Sequence, residues 1–293
     1  MDVERPVAVV TGATGGIGRH IALGLARSGY HGILIGRDRA RGKQVQAWIA
    51  KQAPQSSTEL LIADLSSLSA TREVGTLIVA RHPKLSLLVN NAGIFDTKSI
   101  ITSEGLERVL ATNLLAPFVL TQILLPILRA ATPSRIVNIG SSTSDHARID
   151  PDHLALGRHW TMRRAYSQSK LAMMMVTFAQ ARRLEGTGVM ANVVHPGLVA
   201  TGLVRTGGLI GLVWRCMRPM SLTEEQGAET PLYAALAPEC ASLNGVYLKN
   251  RRVVPPNPQA LDPFLVERVW GATQSLAAWD AGAAKNRTAG PSW

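Results

Sequence analysis

The chain has 293 residues, of which 46% are hydrophobic and 17% are charged, and this balance predicts an ordered globular protein rather than a disordered one. Its formal charge of +11 is the excess of 31 Lys and Arg over 20 Asp and Glu, and the basic residues are scattered, with only short pairs and no basic stripe. We interpret this charge as a basic solvated surface and expect no nucleic-acid partner.

Only two cysteines occur, Cys216 and Cys240, and they are far apart in the sequence. They predict neither a disulfide framework nor a zinc cluster, and a reducing cytoplasm fits them. No run reaches the ~18 consecutive apolar residues of a membrane span, and an apolar strand begins after six residues. We therefore expect a cytoplasmic protein with neither a signal peptide nor an integral membrane segment.

Short apolar segments rich in β-branched residues alternate with helix-length segments. The predicted strands lie at 7–10, 32–35, 60–62, 87–89, 135–139 and 191–194. The predicted helices lie near 17–29, 39–52, 67–81, 103–112, 114–130, 166–185, 223–236 and 262–279. Continuous apolar strands between helices are typical of a parallel sheet covered on both faces. The pattern predicts an α/β fold of the Rossmann type, with one doubly wound parallel sheet in a single domain.

The domain organisation follows from where this alternation stops. We expect residues 1–250 to form the catalytic domain, and residues 251–293 to form a C-terminal extension with one helix packed on it. Within the first part, the polar segment 142–165 and the Gly-rich, then apolar, segment 202–222 depart from the pattern. Such long excursions are commonly functional. We interpret 202–222 as a substrate lid, and a subunit interface and a membrane contact are the alternatives.

A glycine-rich turn follows the first strand and opens the first helix. Gly12 can make a tight turn, Gly16 lets backbone approach a pyrophosphate, and Gly18 lets the helix pack closely on the sheet. The free N–H groups of the helix N-terminus favour an anion. A plain strand-to-helix connection is the alternative, but the position after the first strand favours a dinucleotide site. Its predicted cofactor contacts are Gly12, Thr14, Gly15, Gly16, Ile17 and Gly18.

The end of the second strand predicts which dinucleotide binds. About 20 residues beyond the glycine turn, a site for NAD places an acid on the ribose 2′-hydroxyl. This chain has Gly36 there, followed by Arg37, whose guanidinium can pair with a 2′-phosphate. We interpret Asp38 as a helix N-cap. Because Gly15 adds no second charge, we expect a preference for NADP(H) rather than exclusion of NAD(H).

The spacing of Gly12, Gly16 and Gly18 resembles that of the short-chain dehydrogenase/reductase family, and the family's other motifs follow in order. These are Asp64-Leu65, Asn90-Asn91-Ala92-Gly93, Asn113, Ser141, Tyr166-x-x-x-Lys170, and His195-Pro196-Gly197 with Thr201. The interval of 25 residues from Ser141 to Tyr166 resembles the branch of retinol dehydrogenases, WW-domain oxidoreductases and light-dependent protochlorophyllide reductases. The resemblance implies NADP(H)-dependent interconversion of a hydroxyl and a carbonyl on a small hydrophobic substrate. The long insert has its own sequence, so retinoid specificity does not carry over.

Reduction of a ketone by hydride leaves oxyanion character on the carbonyl oxygen, which then needs a proton and a hydrogen-bond donor. Tyr166 is the predicted acid/base, and Lys170, one helical turn later, would favour tyrosinate by its charge. The resemblance implies that Lys170 also holds the nicotinamide ribose, that Ser141 bonds the substrate oxygen, and that Asn113 anchors a water relay. Ser142 is the competing serine.

The resemblance also assigns the remaining cofactor contacts. They are Asp64, Leu65, Asn91, Ala92, Gly93, Tyr166, Lys170, Pro196, Gly197, Val199 and Thr201. His195 is interpreted as shaping the loop that it precedes. His146, His153 and His159 have spacings that match no metal pattern, so we predict no metal.

The family resemblance further implies a homodimer formed through the helices near 114–130 and 166–185, and a monomer is the alternative. A non-catalytic NADP(H)-binding sensor or scaffold is the alternative function, because a fold can keep its cofactor and lose its chemistry. The complete set of Asn113, Ser141, Tyr166 and Lys170 favours the enzyme.

Overall fold

The computed structural model describes residues 5–199 and 221–278. Over these residues, eight strands form one sheet in the order β3-β2-β1-β4-β5-β6-β7-β8. They are β1 Val7–Thr11, β2 His31–Gly36, β3 Ser57–Ile62, β4 Leu87–Asn90, β5 Ser134–Ile139, β6 Val189–His195, β7 Tyr247–Lys249 and β8 Arg252–Val254. All neighbours pair in parallel except β7 and β8. The strand order reverses between β1 and β4, and ligands of such sheets bind there, beyond the carboxyl ends of the strands.

Seven helices flank this sheet in the described part of the chain. They are α1 Gly16–Arg27, α2 Arg39–Gln52, α3 Leu68–Arg81, α4 Arg108–Ala130, α5 Met162–Arg183, α6 Glu224–Leu236 and α7 Pro263–Leu276. Helices α1, α2 and α6 share one core with Val10 and Leu34, whereas α3 and α4 share another with Val9 and Ile33. Alternate strand residues therefore face opposite helical layers, and the predicted doubly wound fold is confirmed.

The prediction for the region before α4 is wrong. Residues 103–107 are not helical, because Ile101 pairs with Glu107 in an antiparallel bridge. The Glu107 carboxylate then accepts from the backbone N–H of Leu110 at 2.8 Å and caps the helix. From that point the two predicted helices are one, since a π-helical turn at Ala111–Leu115 joins their segments.

Helix α5 begins at Met162 rather than near 166, because the Thr161 side chain accepts from the backbone N–H of Arg164 and fixes the first turn. The helix is buried along most of its length, and three of its four methionines, Met173, Met174 and Met175, lie in the core of this chain.

Helix α7 packs on α5 and lies beside α4. Its Trp270 ring contacts Phe118 of α4 edge-on at 5.2 Å, and the Arg183 guanidinium at the end of α5 lies 4.3 Å from the same ring. The helices proposed for a dimer contact are thus partly covered by the chain's own C-terminal helix. The homodimer stays a prediction.

Helix α4 is the one described helix with the length and hydropathy of a membrane span, with a mean hydropathy of 1.7 over its most apolar stretch. Of that stretch, 72% is buried inside the fold. This burial is what a core helix requires, so the apolar character of α4 is explained by its packing on the sheet beside α3.

Candidate active site

The glycine turn after β1 packs so closely on its neighbours that Gly12 and Gly18 leave no space for a side chain. Gly12 has a φ of +65°, and a Cβ placed on it would lie 2.9 Å from Cα of Ala92. A Cβ on Gly18 would lie 2.3 Å from the carbonyl oxygen of Gly12. The N-terminus of α1 has no side-chain cap among the described residues, so its first N–H groups can bind an anion. The turn therefore fits the pyrophosphate of a dinucleotide.

The end of β4 holds this turn in place. The backbone N–H groups of Asn91 and Ala92 donate to Thr11 Oγ1 at 3.0 and 2.9 Å. The Asn91 side-chain amide donates to the carbonyl oxygens of Thr11 and Gly12 at 2.9 and 3.3 Å. Asn91, predicted as a cofactor contact, thus also supports the phosphate turn, and Thr11 is a supporting residue that the sequence analysis missed.

The end of β2 leaves no room for an acid at position 36. A Cβ on Gly36 would lie 2.3 Å from Cγ2 of Thr14, which belongs to the glycine turn. Arg37 follows and is exposed. The Asp38 side chain accepts from the backbone N–H of Arg41 at 3.0 Å, so its predicted role as the N-cap of α2 is confirmed.

Tyr166 lies half-buried on the first turns of α5, with the Phe95 ring edge-on at 5.1 Å. Burial raises the pKa of the Tyr166 phenol, while a hydrogen bond with Ser141 acts in the opposite direction. The exposed Ser142 is not the partner. The structure therefore brings Ser141, rather than its neighbour, to the tyrosine.

Lys170 is buried one turn further along α5. Its Nζ lies 5.9 Å from the centre of the Tyr166 ring and donates to the carbonyl oxygen of Ile139 at 2.8 Å. Burial lowers the pKa of Lys170 to about 8. The stabilisation of tyrosinate by Lys170 stays a prediction, and burial is the larger influence on the pKa of Tyr166.

Asn113 lies in the π-helical turn of α4, a feature frequent at functional sites. Its amide nitrogen donates to the carbonyl oxygen of Ile94 at 3.0 Å and to Ser169 Oγ at 3.1 Å. Its oxygen accepts from the backbone N–H of Ile94 at 2.8 Å. The side chain thus joins α4, the loop after β4 and α5, and a water relay at Asn113 stays a prediction.

Gly93 explains how closely these groups approach one another. A Cβ there would lie 3.4 Å from Lys170 Nζ and 3.5 Å from Asn113 Oδ1. Gly93, Asn113 and Lys170 are therefore neighbours, although they come from three different elements.

Apolar side chains lie next to Tyr166. Besides Phe95, a small cluster combines the loop after β4, the start of α4, the insert before α5 and the start of α5. Its members are Ile94, Val109, Leu156, Trp160 and Ala165. The loop is held by an ion pair between Asp96 and Arg108, with both nitrogen–oxygen distances below 3 Å, at 2.8 and 2.7 Å. We call Phe95 and this cluster the apolar wall. Phe95 contacts the Tyr166 ring, and the sequence analysis did not foresee Phe95 or Trp160.

The loop after β6 returns toward the glycine turn. Gly197 has a φ of +90°, and Val199 pairs with Leu222 in a parallel bridge just before α6. A Cβ on Gly227 of α6 would lie 2.5 Å from Val199 and 3.2 Å from Ile17. Two predicted cofactor residues, Ile17 and Val199, therefore meet across Gly227, which the sequence analysis missed.

Other predicted residues of this region are placed differently. Burial, followed by the charge of Lys249, lowers the pKa of His195 to about 4, so its imidazole is neutral near pH 7. Asp64 is exposed and accepts from the backbone N–H of Ser66 at 3.0 Å, whereas Leu65 is buried. Thr201 and most of the proposed lid, 202–220, lie outside the described residues.

One group of possible metal ligands occurs in the described ranges, and it lies away from this site. His31, Glu59 and His82 have ligand atoms within 4.8 Å of one another near the start of β2 and β3. His82 Nε2 is hydrogen-bonded to Glu59 at 3.0 Å, and Arg81 pairs with the same carboxylate. The group is thus an ion-paired network, and the prediction of no metal stays a prediction.

Comparison with known proteins places these motifs in context. The family model described as short chain dehydrogenase matches residues 6–207. Retinol dehydrogenase 12 of Bos taurus is 34% identical over 270 residues, with 92% of this chain and 85% of that protein covered. Polyprenol dehydrogenase of Mus musculus is 38% identical over 277 residues, with 90% of this chain and 81% of that protein covered.

Solved structures share the fold. A crystal structure of an uncharacterized protein from Mycobacterium Paratuberculosis superposes with a TM-score of 0.75 at 28% identity and covers 94% of both chains. A short chain dehydrogenase from Burkholderia cenocepacia J2315 in complex with NADP has a TM-score of 0.68 at 27% identity, and the match covers 83% of this chain and 95% of that one. The second of these relatives binds NADP on the same fold.

Proposed function

This chain belongs to the short-chain dehydrogenase family, in its retinol dehydrogenase branch, and on that premise we propose that it is an NADP(H)-dependent enzyme that interconverts a hydroxyl and a carbonyl on a small hydrophobic molecule. The observation that carries the proposal is the placement of Ser141 next to the Tyr166 phenol, with Nζ of the buried Lys170 lying 5.9 Å from the centre of the Tyr166 ring. This pair stands at the carboxyl ends of the strands, where such sheets bind their ligands.

The proton chemistry belongs to Tyr166. Because burial raises its pKa, the phenol is protonated near neutrality and can donate to a carbonyl oxygen during reduction. Ser141 can donate a second hydrogen bond to that oxygen and stabilise its developing negative charge. NADPH supplies the hydride when it is bound. In the reverse direction Tyr166 accepts the proton of the alcohol.

The cofactor preference rests on the end of β2. An acid at position 36 would collide with Thr14, whereas the exposed Arg37 side chain can reach a 2′-phosphate. We therefore assign the preference for NADP(H) to Arg37, supported by the glycine turn that cradles the pyrophosphate.

The substrate class rests on the apolar wall beside Tyr166. The partly exposed Ile94 and Phe95 offer hydrophobic surface there, and Trp160 adds an aromatic ring whose indole N–H has no hydrogen-bond partner among the described residues. Two relatives carry names for dehydrogenation of retinol and polyprenol, which are both apolar isoprenoid alcohols. An apolar alcohol or aldehyde of this kind is accordingly the substrate class that we propose.

Turnover with apolar substrates tests the proposal. We expect the purified chain to oxidise NADPH in the presence of medium- and long-chain apolar aldehydes and ketones, including isoprenoid aldehydes, with kcat/KM rising with substrate hydrophobicity. Tyr166→Phe, run in parallel, separates this turnover from background oxidation. Tight NADPH binding without turnover on any of these compounds would contradict the enzyme and support a non-catalytic cofactor-binding protein.

A further inference from the structure

We infer that the strand β7 positions Ser141: Lys249 and Tyr247 hold Asp145, and Asp145 anchors the short turn that Ser141 begins. The inference rests on the proposed function of Ser141 as a donor to the substrate oxygen. Asp145, Tyr247 and Lys249 are positioning residues, since none of them contacts Tyr166.

Asp145 is held by two side chains of one strand. Tyr247 donates from its hydroxyl to Asp145 Oδ1 at 3.1 Å, and Lys249 Nζ forms an ion pair with Asp145 Oδ2. Tyr247 is almost completely buried, and burial raises the pKa of its phenol, so the hydroxyl remains a donor at all ordinary pH values. Both carboxylate oxygens are therefore fixed by β7.

The neighbouring histidine does not compete for this carboxylate. His195 is the register partner of Lys249 across β6 and β7. Burial and the Lys249 charge lower the pKa of His195 to about 4, so the ring is uncharged near pH 7. Lys249 is thus the cation that holds Asp145.

Asp145 is connected to Ser141 through a single 3-10 turn at Ser142–Ser144. The backbone N–H of Ser144 donates to the carbonyl oxygen of Ser141 at 3.0 Å, and the Ser144 hydroxyl donates to the same oxygen at 2.6 Å. The backbone N–H of Asp145 donates to the carbonyl oxygen of Ser142 at 3.1 Å. Because this turn is so short, a shift of Asp145 moves the backbone at Ser141.

The segment after β8 provides a second support for the same turn. Asn257 donates from its side-chain amide to the carbonyl oxygens of Ser144 and Ala147, at 2.8 and 2.9 Å. Gly140, just before Ser141, packs closely against the neighbouring strands. A Cβ on it would lie 2.8 Å from Val193 and 3.8 Å from the Tyr247 ring. The turn that Ser141 begins is therefore supported by Asn257 of the C-terminal part of the chain, whereas Gly140 is confined mainly by Val193 of β6.

This arrangement gives the C-terminal segment a role in the reaction. The family model ends its match at residue 207, and β7, β8 and Asn257 all follow it. The catalytic tyrosine and lysine lie on one rigid helix, whereas Ser141 stands in a loop whose position depends on this later segment. We expect the segment to set how well the serine is aligned with the tyrosine.

A double-mutant cycle tests the inference. Asp145→Ala should lower kcat for carbonyl reduction by about tenfold, a size within the range of coupling between contacting residues. It should leave the Kd of NADPH within about twofold, because Asp145 touches none of the proposed cofactor contacts. In a Ser141→Ala background, Asp145→Ala should cause little further loss, because its effect passes through the serine. Lys249→Met should resemble Asp145→Ala, and Lys249→Arg should restore most of the turnover.

Arg268→Met is the matched control, because it removes an ion pair with Asp152 that is exposed on both sides, at 57% and 69%. It should leave kcat unchanged. Equal fractional losses from Asp145→Ala in the wild type and in the Ser141→Ala variant would overturn the inference, as would wild-type kcat in a folded Lys249→Met variant.

Hydrogen exchange separates this inference from the proposed function. The backbone amides of residues 143–147 should exchange faster in Lys249→Met and Asp145→Ala than in Arg268→Met, and this holds whether or not a substrate has been found. Absence of turnover in the wild type with faster exchange in these variants would contradict the function and support the anchoring. Unchanged exchange would contradict the anchoring itself.

Discussion

Lys170 on α5 donates a hydrogen bond of 2.8 Å to the carbonyl oxygen of Ile139, the last residue of β5. Gly140 and Ser141 follow directly, so this bond joins the helix of Tyr166 to the strand end that carries the serine. Lys170 is only 4% exposed, and its burial lowers its pKa to about 8. The residue therefore connects the proposed chemistry with the stability of the fold.

The first prediction concerns stability against pH. The unfolded chain keeps the Lys170 proton up to a pKa of about 10.4, whereas the folded chain releases it near a pKa of about 8. Between these values the unfolded state holds more protons, so the free energy of unfolding should rise with pH, by about 3 kcal/mol at most. Below that window Lys170 is protonated in both states, so the buried charge lowers the free energy of unfolding by its full amount and the pH dependence from this residue ends.

Denaturation by urea at pH values from neutral to alkaline measures this rise. Lys170→Met should remove the contribution and also abolish most turnover, whereas Lys84→Met, at an exposed position, should keep the wild-type dependence. An identical pH dependence in Lys170→Met and the wild type would show that the buried ammonium is not its source.

The second prediction is that Tyr166→Phe lowers kcat by about a hundredfold or more, as expected for loss of a general acid, because only the phenolic hydroxyl is removed. The edge-on contact with Phe95 can persist, so the helix should keep its packing. Steady-state kinetics and fluorescence titration of NADPH measure the two effects separately. A variant with wild-type kcat would exclude Tyr166 as the acid.

The third prediction is a difference between the two directions of the reaction. Reduction needs protonated Tyr166, and burial raises the pKa of this phenol, so kcat for reduction should stay level through neutrality. Oxidation needs the deprotonated form, so its kcat should increase as the pH rises. Lys170 and Ser141 are the polar groups that face the ring, and the Ser141 hydrogen bond lowers the pKa.

Ser141→Ala should therefore move the oxidation profile to higher pH. Rate profiles in both directions, recorded for the wild type and this variant, check the prediction. A profile for oxidation that declines from neutral to alkaline pH would contradict it.

The fourth prediction is that Arg37→Ala weakens the binding of NADPH by about ten- to a hundredfold and has little effect on the binding of NADH. This is the range expected for the loss of a hydrogen bond between charged groups. Arg39→Ala is the control, because Arg39 is also exposed but begins α2 two residues later. Titration of both cofactors against the three proteins gives the ratios of Kd. The same NADPH/NADH ratio in Arg37→Ala and the wild type would exclude Arg37 as the discriminating residue.

The fifth prediction concerns the phosphate turn. Gly18→Ala should destroy NADPH binding and lower the Tm, because the new Cβ would lie 2.3 Å from the carbonyl oxygen of Gly12 and 2.5 Å from the Asn91 amide. Gly271→Ala on α7 should cause neither effect, since its Cβ would meet nothing within 4 Å. Thermal unfolding with and without NADPH distinguishes the two variants, and cofactor-induced stabilisation of Gly18→Ala equal to that of the wild type would refute the argument.

Local features were readable from the sequence because they depend on residues close together in the chain. The first six strands, the glycine turn between β1 and α1, and the Asp38 cap all depend on residues that are close in the sequence, whereas the short strands β7 and β8 were not predicted. The predicted starts of α4 and α5 were wrong because they depend on which side chain caps each helix. Glu107 and Thr161 act as caps there, and apolar periodicity does not reveal which carboxylate or hydroxyl will cap a helix.

The alignment of the reacting groups required the tertiary structure. The Asn113 side chain bonds with Ile94 and Ser169, which lie on other elements. Asp145 bonds with Lys249, which is 104 positions away in the sequence. The direction in which the pKa of Tyr166 is shifted also depends on burial, to which neighbours from several elements contribute. Sequence alone therefore determined which residues are available for hydride-transfer chemistry, whereas packing decided their protonation and which distant segment holds the serine in place.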